Sequence, residues 1–240
     1  MANLTFRVFR FDPDSGEKPR FQDFRVPSDR KSLTVLDGLF HIQGRLDGSL
    51  AFRSSCRAAV CGSCAMHING RFRLACKTLV ASLGRSVITI RPLAHLPILR
   101  DLVVDLAPLW EEYELIKPYL MPGKPPPAAE VPQTPHDRDR LDGFYDCILC
   151  ACCHASCPMT GTGGKYLGPA ALLQAARFVL DSRDGAFEER LALVNSDDGV
   201  WRCHTVANCQ EVCPKSLDPT GAIAILKTRL LKQKLGSAAK

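Results

Sequence analysis

Two cysteine runs in the second half of the chain limit what it can fold around. The first is Cys147-Ile-Leu-Cys150-Ala-Cys152-Cys153-His-Ala-Ser-Cys157-Pro158. The second is Cys203-His-Thr-Val206-Ala-Asn-Cys209-Gln-Glu-Val-Cys213-Pro214. The spacing C-x2-C-x2-C-x3-C-P belongs to chains that hold two iron–sulfur clusters, with the fourth cysteine of each run serving the other cluster. Cys147, Cys150, Cys153 and Cys157 fit it, closed by Pro158. Cys203, Cys209 and Cys213 fit it too, closed by Pro214, but Val206 stands where one cysteine is due.

That single substitution separates two sites. With the crossover applied, Cys147, Cys150, Cys153 and Cys213 form a complete ligand set, which reads as [4Fe–4S]. Cys157, Cys203 and Cys209 form a set of three whose fourth corner faces Val206. An isopropyl group cannot ligate iron, and a cubane short of one ligand tends to lack that iron. The expected occupant is therefore [3Fe–4S]. Cys152 falls out of phase and reads as a small buried hydrophobe, the usual state of a free cysteine.

The first half carries its own group. Cys56-x4-Cys61-x2-Cys64, with Cys76 after eleven residues, is the spacing of a plant-type [2Fe–2S] site. Gly62 suits a loop whose amides must turn toward sulfur at backbone angles that side chains resist. A four-cysteine zinc site is the competing reading, but zinc ligands usually come as two C-x2-C pairs on separate turns. Here three cysteines share one loop, which favours iron–sulfur.

Twelve cysteines in 240 residues would suit a disulfide framework only in a short secreted chain. The start, Met1-Ala-Asn-Leu-Thr-Phe-Arg, has neither a charged n-region nor an apolar h-region, so a reducing compartment is expected. No apolar run reaches the roughly 18 residues of a membrane span. The uncharged stretch from Cys147 to Gly164 is rich in Cys, Gly and polar residues. Work at a membrane would require another chain to hold this one there. Net charge is +6 and scattered, which does not indicate nucleic acid and weakly suits anionic lipid or an acidic partner.

Element signals divide the chain at 1–105, 106–135 and 136–240. Leu4 to Phe11 alternates with period two, Asp12 to Gly16 is a turn cluster, and Phe21 to Val26 is a second strand. Ser32 or Thr34 can cap a helix over Val35, Leu36, Leu39, Phe40 and Ile42. Met66 to Ile68, Arg71 to Ala75 and Val87 to Ile90 read as strands, with Asn69-Gly70 a hairpin turn between the first two. Leu96, Ile98, Leu99, Leu102, Val103, Leu106 and Leu109 recur at near-helical spacing and predict a connecting amphipathic helix within 93–118. Pro118 to Pro135 is proline-rich and predicts a stiff extended connector over the surface between the halves. The second half reads as helical, with helices over Pro169–Asp181, Phe187–Val194 and Pro219–Leu235, two of them opened by proline. The fold class is α+β: a small sheet domain followed by an all-α domain built around the cysteine runs.

The stretches CRAAVCGSCAMHINGRFRLAC, CILCACCHASCP and WRCHTVANCQEVCPKSLDP resemble the iron–sulfur subunit of succinate dehydrogenase and of its relative quinol:fumarate reductase, respiratory complex II. The resemblance runs in order over nearly the whole chain. It implies a plant-type ferredoxin-like (β-grasp) N-terminal domain and a bacterial-ferredoxin-like helical C-terminal domain. It implies one-electron relay through [2Fe–2S], [4Fe–4S] and [3Fe–4S] clusters to membrane quinone. The partners implied are a flavoprotein with covalent FAD, where succinate and fumarate interconvert, and membrane anchor subunits that can carry haem. The location implied is the cytoplasmic or matrix face of the inner membrane, held peripherally. In some relatives Asp is the third [2Fe–2S] ligand, and here Cys64 takes that place.

By motif position, Pro158, His204, Val206 and Lys227 match residues near the family's quinone pocket, and Trp201 and Arg202 match residues toward the anchor. His204 could hydrogen-bond a quinone oxygen or help accept a proton. As a purely structural residue it would donate to backbone or sulfur. One departure matters: ubiquinone-linked members carry tryptophans soon after the Cys-Pro, and Met159-Thr-Gly-Thr-Gly-Gly164 has none and is one residue shorter. Menaquinone therefore stays open beside ubiquinone.

No residue of this chain is expected to act on a dicarboxylate, and no Rossmann glycine fingerprint for FAD occurs. The same relay run backwards, as a fumarate reductase, is the nearest rival. Iron–sulfur subunits of glycolate or glycerol-phosphate oxidases usually keep two full [4Fe–4S] runs, which Val206 argues against. A zinc-stabilised interaction module is the rival from another class.

Overall fold

The computed structural model describes residues 3–27, 32–122 and 129–238. The chain forms two compact units, Met1–Leu106 with Ile148–Ser156, and Ala107–Cys147 with Cys157–Lys240.

The first unit is a mixed sheet with a helix on it. Strands β1 (Asn3–Arg10) and β2 (Arg20–Pro27) pair antiparallel as the expected hairpin. Alternation along β1 buries Phe6 and Val8 completely and turns Arg7 outward to Asp23. Helix α1 (Val35–His41) starts at Thr34, not Ser32. Thr34 Oγ1 accepts from the Asp37 amide, and the Asp37 carboxylate accepts from the Thr34 amide, closing a capping box. Gly38 lets α1 lie directly on the sheet, because a Cβ there would stand 2.3 Å from Phe6 Cζ. The helix continues as one π-helical turn, Ile42–Leu46.

Strands β3 (Ala65–Ile68), β4 (Arg71–Leu74) and β5 (Val87–Arg91) complete the sheet in the order β2-β1-β5-β3-β4. Asn69 and Gly70 both have positive φ, as a two-residue hairpin turn demands, and Ile68 pairs with Arg71 across it. Between β1 and β5 the pairing is parallel. Phe6, Val8, Ile68, Ile88 and Ile90 of the sheet and Leu39 and Ile42 of the helical segment are all fully buried.

Residues 93–118 depart from the single helix expected there. Strands β6 (Ile98–Arg100) and β7 (Val103–Val104) form a small hairpin, and helix α2 spans only Ala107–Leu115. The hairpin turns at Asp101, whose φ of 46° no helix allows. Asp101 is 2% exposed and accepts from Arg10 Nε and from the amides of Phe11 and Ala51. Four hydrogen-bonding groups therefore fix this corner, counting the Asp101 carboxylate itself. They override the helical period of the leucines.

The second unit is helical. Helix α3 (Gly168–Leu180) is buried along its whole length except at Arg177, and its buried Gln174 donates to the Phe144 carbonyl. It packs with α4 (Phe187–Val194) and α5 (Pro219–Ala238) around Leu172, Ala176, Leu191, Val194, Leu226 and Leu230. Asp218 caps α5 by accepting from the Gly221 amide, with Pro219 in the first turn. The segment before the first cysteine run holds a short helix, Pro135–Asp139, and a 3-10 turn, Phe144–Asp146. Of the expected connector, Pro125, Pro126 and Pro127 lie outside the described residues. Its start is clamped within this unit by the buried Arg190, which donates to the carbonyls of Ile116, Lys117 and Tyr119 and pairs with Asp184. None of the described helices is long and apolar enough to cross a membrane.

Candidate metal centres

The Cys56–Cys64 loop is shaped around sulfur. The amides of Ala58, Val60 and Cys61 each lie 3.3 Å from Cys56 Sγ. The Cys56 amide in turn donates to Cys61 Sγ. Arg57 and Ala59 adopt left-handed φ, which costs about 1–3 kcal/mol each and holds those amides inward. The Cys56 amide and the Ser63 hydroxyl hold the Cys61 thiol down, to about 6. Cys64 and Cys76 meet at the sheet, where Cys64 is 3% exposed. Burial pushes the Cys64 thiol up to about 12 against the pull of the Cys76 amide. Such a thiol gives up its proton when a cation takes its place.

Gly62 closes this loop against the first cysteine run. A Cβ there would stand 2.8 Å from the Ile148 carbonyl oxygen and 2.9 Å from Cys150 Cβ, and φ is +74°. Within the same unit, Leu149 and Ala151 are left-handed on either side of Cys150, and Cys152 to Ser156 make a short helical turn. Cys152 is fully buried, as its reading as a packed thiol expects. It also has an influence the spacing did not reveal: with nearby amides, its thiol holds the Cys150 thiol below the usual range. Cys153 belongs to this first unit, while Cys147 and Cys213 belong to the second.

The second unit holds the remaining cysteines around one cleft. Cys157, Cys203 and Cys209 line it together with Pro158, His204 and Val206. Thr205 and Ala207, either side of Val206, are left-handed, and Val206 itself is 55% exposed. Three thiols and one isopropyl group thus share the rim. Burial pushes the Cys157 thiol up, opposed by the amides of Met159 and Thr160. Burial pushes Cys209 up as well, opposed by the Thr220 hydroxyl, whose Oγ1 lies 3.3 Å from Cys209 Sγ.

Of the residues matched to a quinone pocket, Pro158, His204 and Val206 line this cleft, and Lys227 Nζ lies 2.8 Å from the Cys203 carbonyl oxygen. Lys227 and Lys234 both sit over the ring of Trp201, which donates to Asn195. Arg202 turns to Asp198 and to Thr162. One residue of the cleft went unnoticed in the sequence. Tyr166 is 3% exposed and lines the cleft beside Cys203. Burial, then the three neighbouring sulfurs, push its phenol up, so it stays protonated. A lone tyrosine ahead of a helix has no ligand spacing by which to be found.

The donor chemistry fits iron–sulfur clusters: thiols, ringed by amides and hydroxyls aimed at sulfur. No disulfide forms among the described residues.

Comparison with known proteins agrees with this chemistry. A 2Fe-2S iron-sulfur cluster binding domain matches residues 5–111, and a 4Fe-4S dicluster domain matches residues 143–217. The chain is 46% identical over 227 residues to the mitochondrial succinate dehydrogenase (ubiquinone) iron-sulfur subunit 1 of Oryza sativa subsp. japonica, covering 93% of this chain and 80% of that protein. It is 44% identical over 223 residues to the succinate dehydrogenase iron-sulfur subunit of Paracoccus denitrificans, covering 92% and 86%. A chain of the Mycobacterium smegmatis Sdh1 complex in the apo form matches in structure with a TM-score of 0.89, at 30% identity and over 97% of both chains.

Proposed function

We infer the working arrangement from one premise: this chain belongs to the family of succinate dehydrogenase iron–sulfur subunits. It is the electron-transfer subunit of that oxidoreductase, with an N-terminal [2Fe–2S] domain and a C-terminal [4Fe–4S] dicluster domain. Cys56, Cys61, Cys64 and Cys76 hold [2Fe–2S]. Cys147, Cys150, Cys153 and Cys213 hold [4Fe–4S]. Cys157, Cys203 and Cys209 hold [3Fe–4S]. Bound, such clusters take and pass one electron at a time, at potentials set by cluster type, charge and hydrogen bonds to sulfur.

This chain's residues supply the thiolates and orient amides toward them, and burial shields Cys64 and Cys209 from water. A flavoprotein partner carrying FAD feeds the [2Fe–2S] end. Anchor subunits hold the chain peripherally at the cytoplasmic or matrix face of the inner membrane and share the quinone pocket with Pro158, His204, Val206 and Lys227. His204, exposed at the mouth of the cleft, faces the quinone. The cleft that gathers Cys157, Cys203 and Cys209 with Val206 among them is the observation that supports this reading most.

Paramagnetic resonance of the oxidised intact complex, with iron analysis, tests it. A three-iron signal at about g = 2 and about nine irons per chain are expected. A four-iron cluster in the Cys203–Cys213 run of the unaltered protein would overturn the ligand assignment.

A further inference from the structure

We propose that Tyr166 and Thr220 are a pair of hydroxyl donors that raise the potential of the cluster in the Cys157–Cys203–Cys209 cleft, each through one ligand sulfur. The inference rests on the ligand reading above and deepens it. Tyr166, in the loop leading into α3, lines the cleft together with Cys203, and Thr220, in the first turn of α5, reaches Cys209 at 3.3 Å. Between free side chains either atom of the Thr220–Cys209 pair could donate. Once sulfur binds iron it is a thiolate and can only accept, so both hydroxyls must donate.

The surroundings keep both bonds effective. Tyr166 is 3% exposed and Cys209 8%, so neither bond competes freely with water. A hydrogen bond to a charged acceptor in a dry setting is stronger than one between neutral groups. Each added electron makes the sulfurs more negative, so a donor stabilises the reduced cluster more than the oxidised one. The midpoint therefore rises, and electrons are drawn to the end of the relay beside the quinone cleft. Neither residue touches the reacting atoms of a substrate. Both are positioning residues acting through sulfur.

The test is a redox titration of the three-iron resonance in the intact complex carrying Tyr166→Phe, Thr220→Val or both. Each single variant should lower the reduced-to-oxidised ratio at fixed potential by about three- to tenfold, tenfold being about 59 mV for one electron. The double variant should lower it further, and Thr220→Ser should restore the unaltered midpoint. Midpoints unchanged in both single variants, with the resonance at full strength, would overturn the proposal. If Tyr166→Phe loses the cluster, Thr220→Val against Thr220→Ser decides: equal midpoints refute the donor role and a difference upholds it. Unaltered protein lacking the three-iron signal overturns the ligand reading itself, a failure distinct from an unmoved midpoint.

Discussion

Gly62 lies so close to Ile148 that a methyl group on it would stand 2.8 Å from the Ile148 carbonyl oxygen. The obstacle is backbone and cannot rotate away, and φ at Gly62 is +74°. The loop of the first cysteine group and the start of the first run are thus held together by the absence of a side chain. Gly62→Ala should cost about 1–3 kcal/mol from backbone angle alone, with overpacking added. Thermal unfolding should show a drop of several degrees. Iron analysis should show loss from the [2Fe–2S] site first, because its loop must move. Full iron content with an unchanged melting temperature would refute this account of the glycine.

Val206 stands on the rim between left-handed Thr205 and Ala207. Val206→Cys should give the fourth corner a thiolate and convert [3Fe–4S] toward [4Fe–4S]. Iron content should rise from about nine toward about ten per chain, and the potential should fall by on the order of a tenth of a volt. Quinone reduction should slow, while succinate oxidation with an artificial acceptor at the flavin end survives. Iron entry without any slowing would show that this potential does not govern the last transfer.

Cys152 is fully buried, and its thiol helps hold the Cys150 thiol below the usual range. Cys152→Ser keeps a donor and should retain all three clusters. Cys152→Ala removes the donor and leaves a small void, costing roughly 1–2 kcal/mol and lowering the [4Fe–4S] midpoint slightly. Loss of the [4Fe–4S] resonance in the serine variant would make Cys152 a ligand in place of Cys153.

Arg190 and Asp184 are both 1% exposed in their side chains, and Arg190 also stacks on Phe178 at 4.5 Å. Arg190→Met strands a buried carboxylate and three carbonyl oxygens, so a loss of about 3–5 kcal/mol is expected by denaturant unfolding. The Asp184→Asn, Arg190→Met double variant should recover part of that loss. Arg190 bonds to Asp184 and to the carbonyls of Ile116, Lys117 and Tyr119, none of them a cysteine or next to one, so cluster resonances in the folded protein should be unaltered.

Cysteine spacing carried most of what could be read in advance. It grouped Cys157, Cys203 and Cys209, and the structure brings those three to one cleft with Val206. Hairpin and cap chemistry was equally legible, at Asn69-Gly70 and at Thr34, since both depend on adjacent residues. The hairpin at Ile98–Val104 was not. Its leucines and valines fit a helical period as well as two short strands, and the deciding contact, Asp101 with Arg10, spans 91 positions. Tyr166 and the Cys152 donor were hidden for the same reason: hydrogen bonds to sulfur leave no periodic trace. The same holds for Arg190, which reads as an ordinary surface residue of an acidic helix start, Phe187-Glu188-Glu189.

The parallel ladder between β1 and β5 has a consequence for how the chain is born. Thr5 pairs with Val87 and Val8 with Ile90, so the centre of the sheet joins the beginning of the chain to a segment some eighty residues later. Contacts of such sequence separation form late, because a long loop must close before they are rewarded. Cys56, Cys61, Cys64 and Cys76 all lie inside that loop. During synthesis, which proceeds from the N-terminus, all four thiols emerge while β1 still lacks β5. The first cysteine group therefore leaves the ribosome before the strand that completes its sheet, while β1 and the cysteine loop are still without β5.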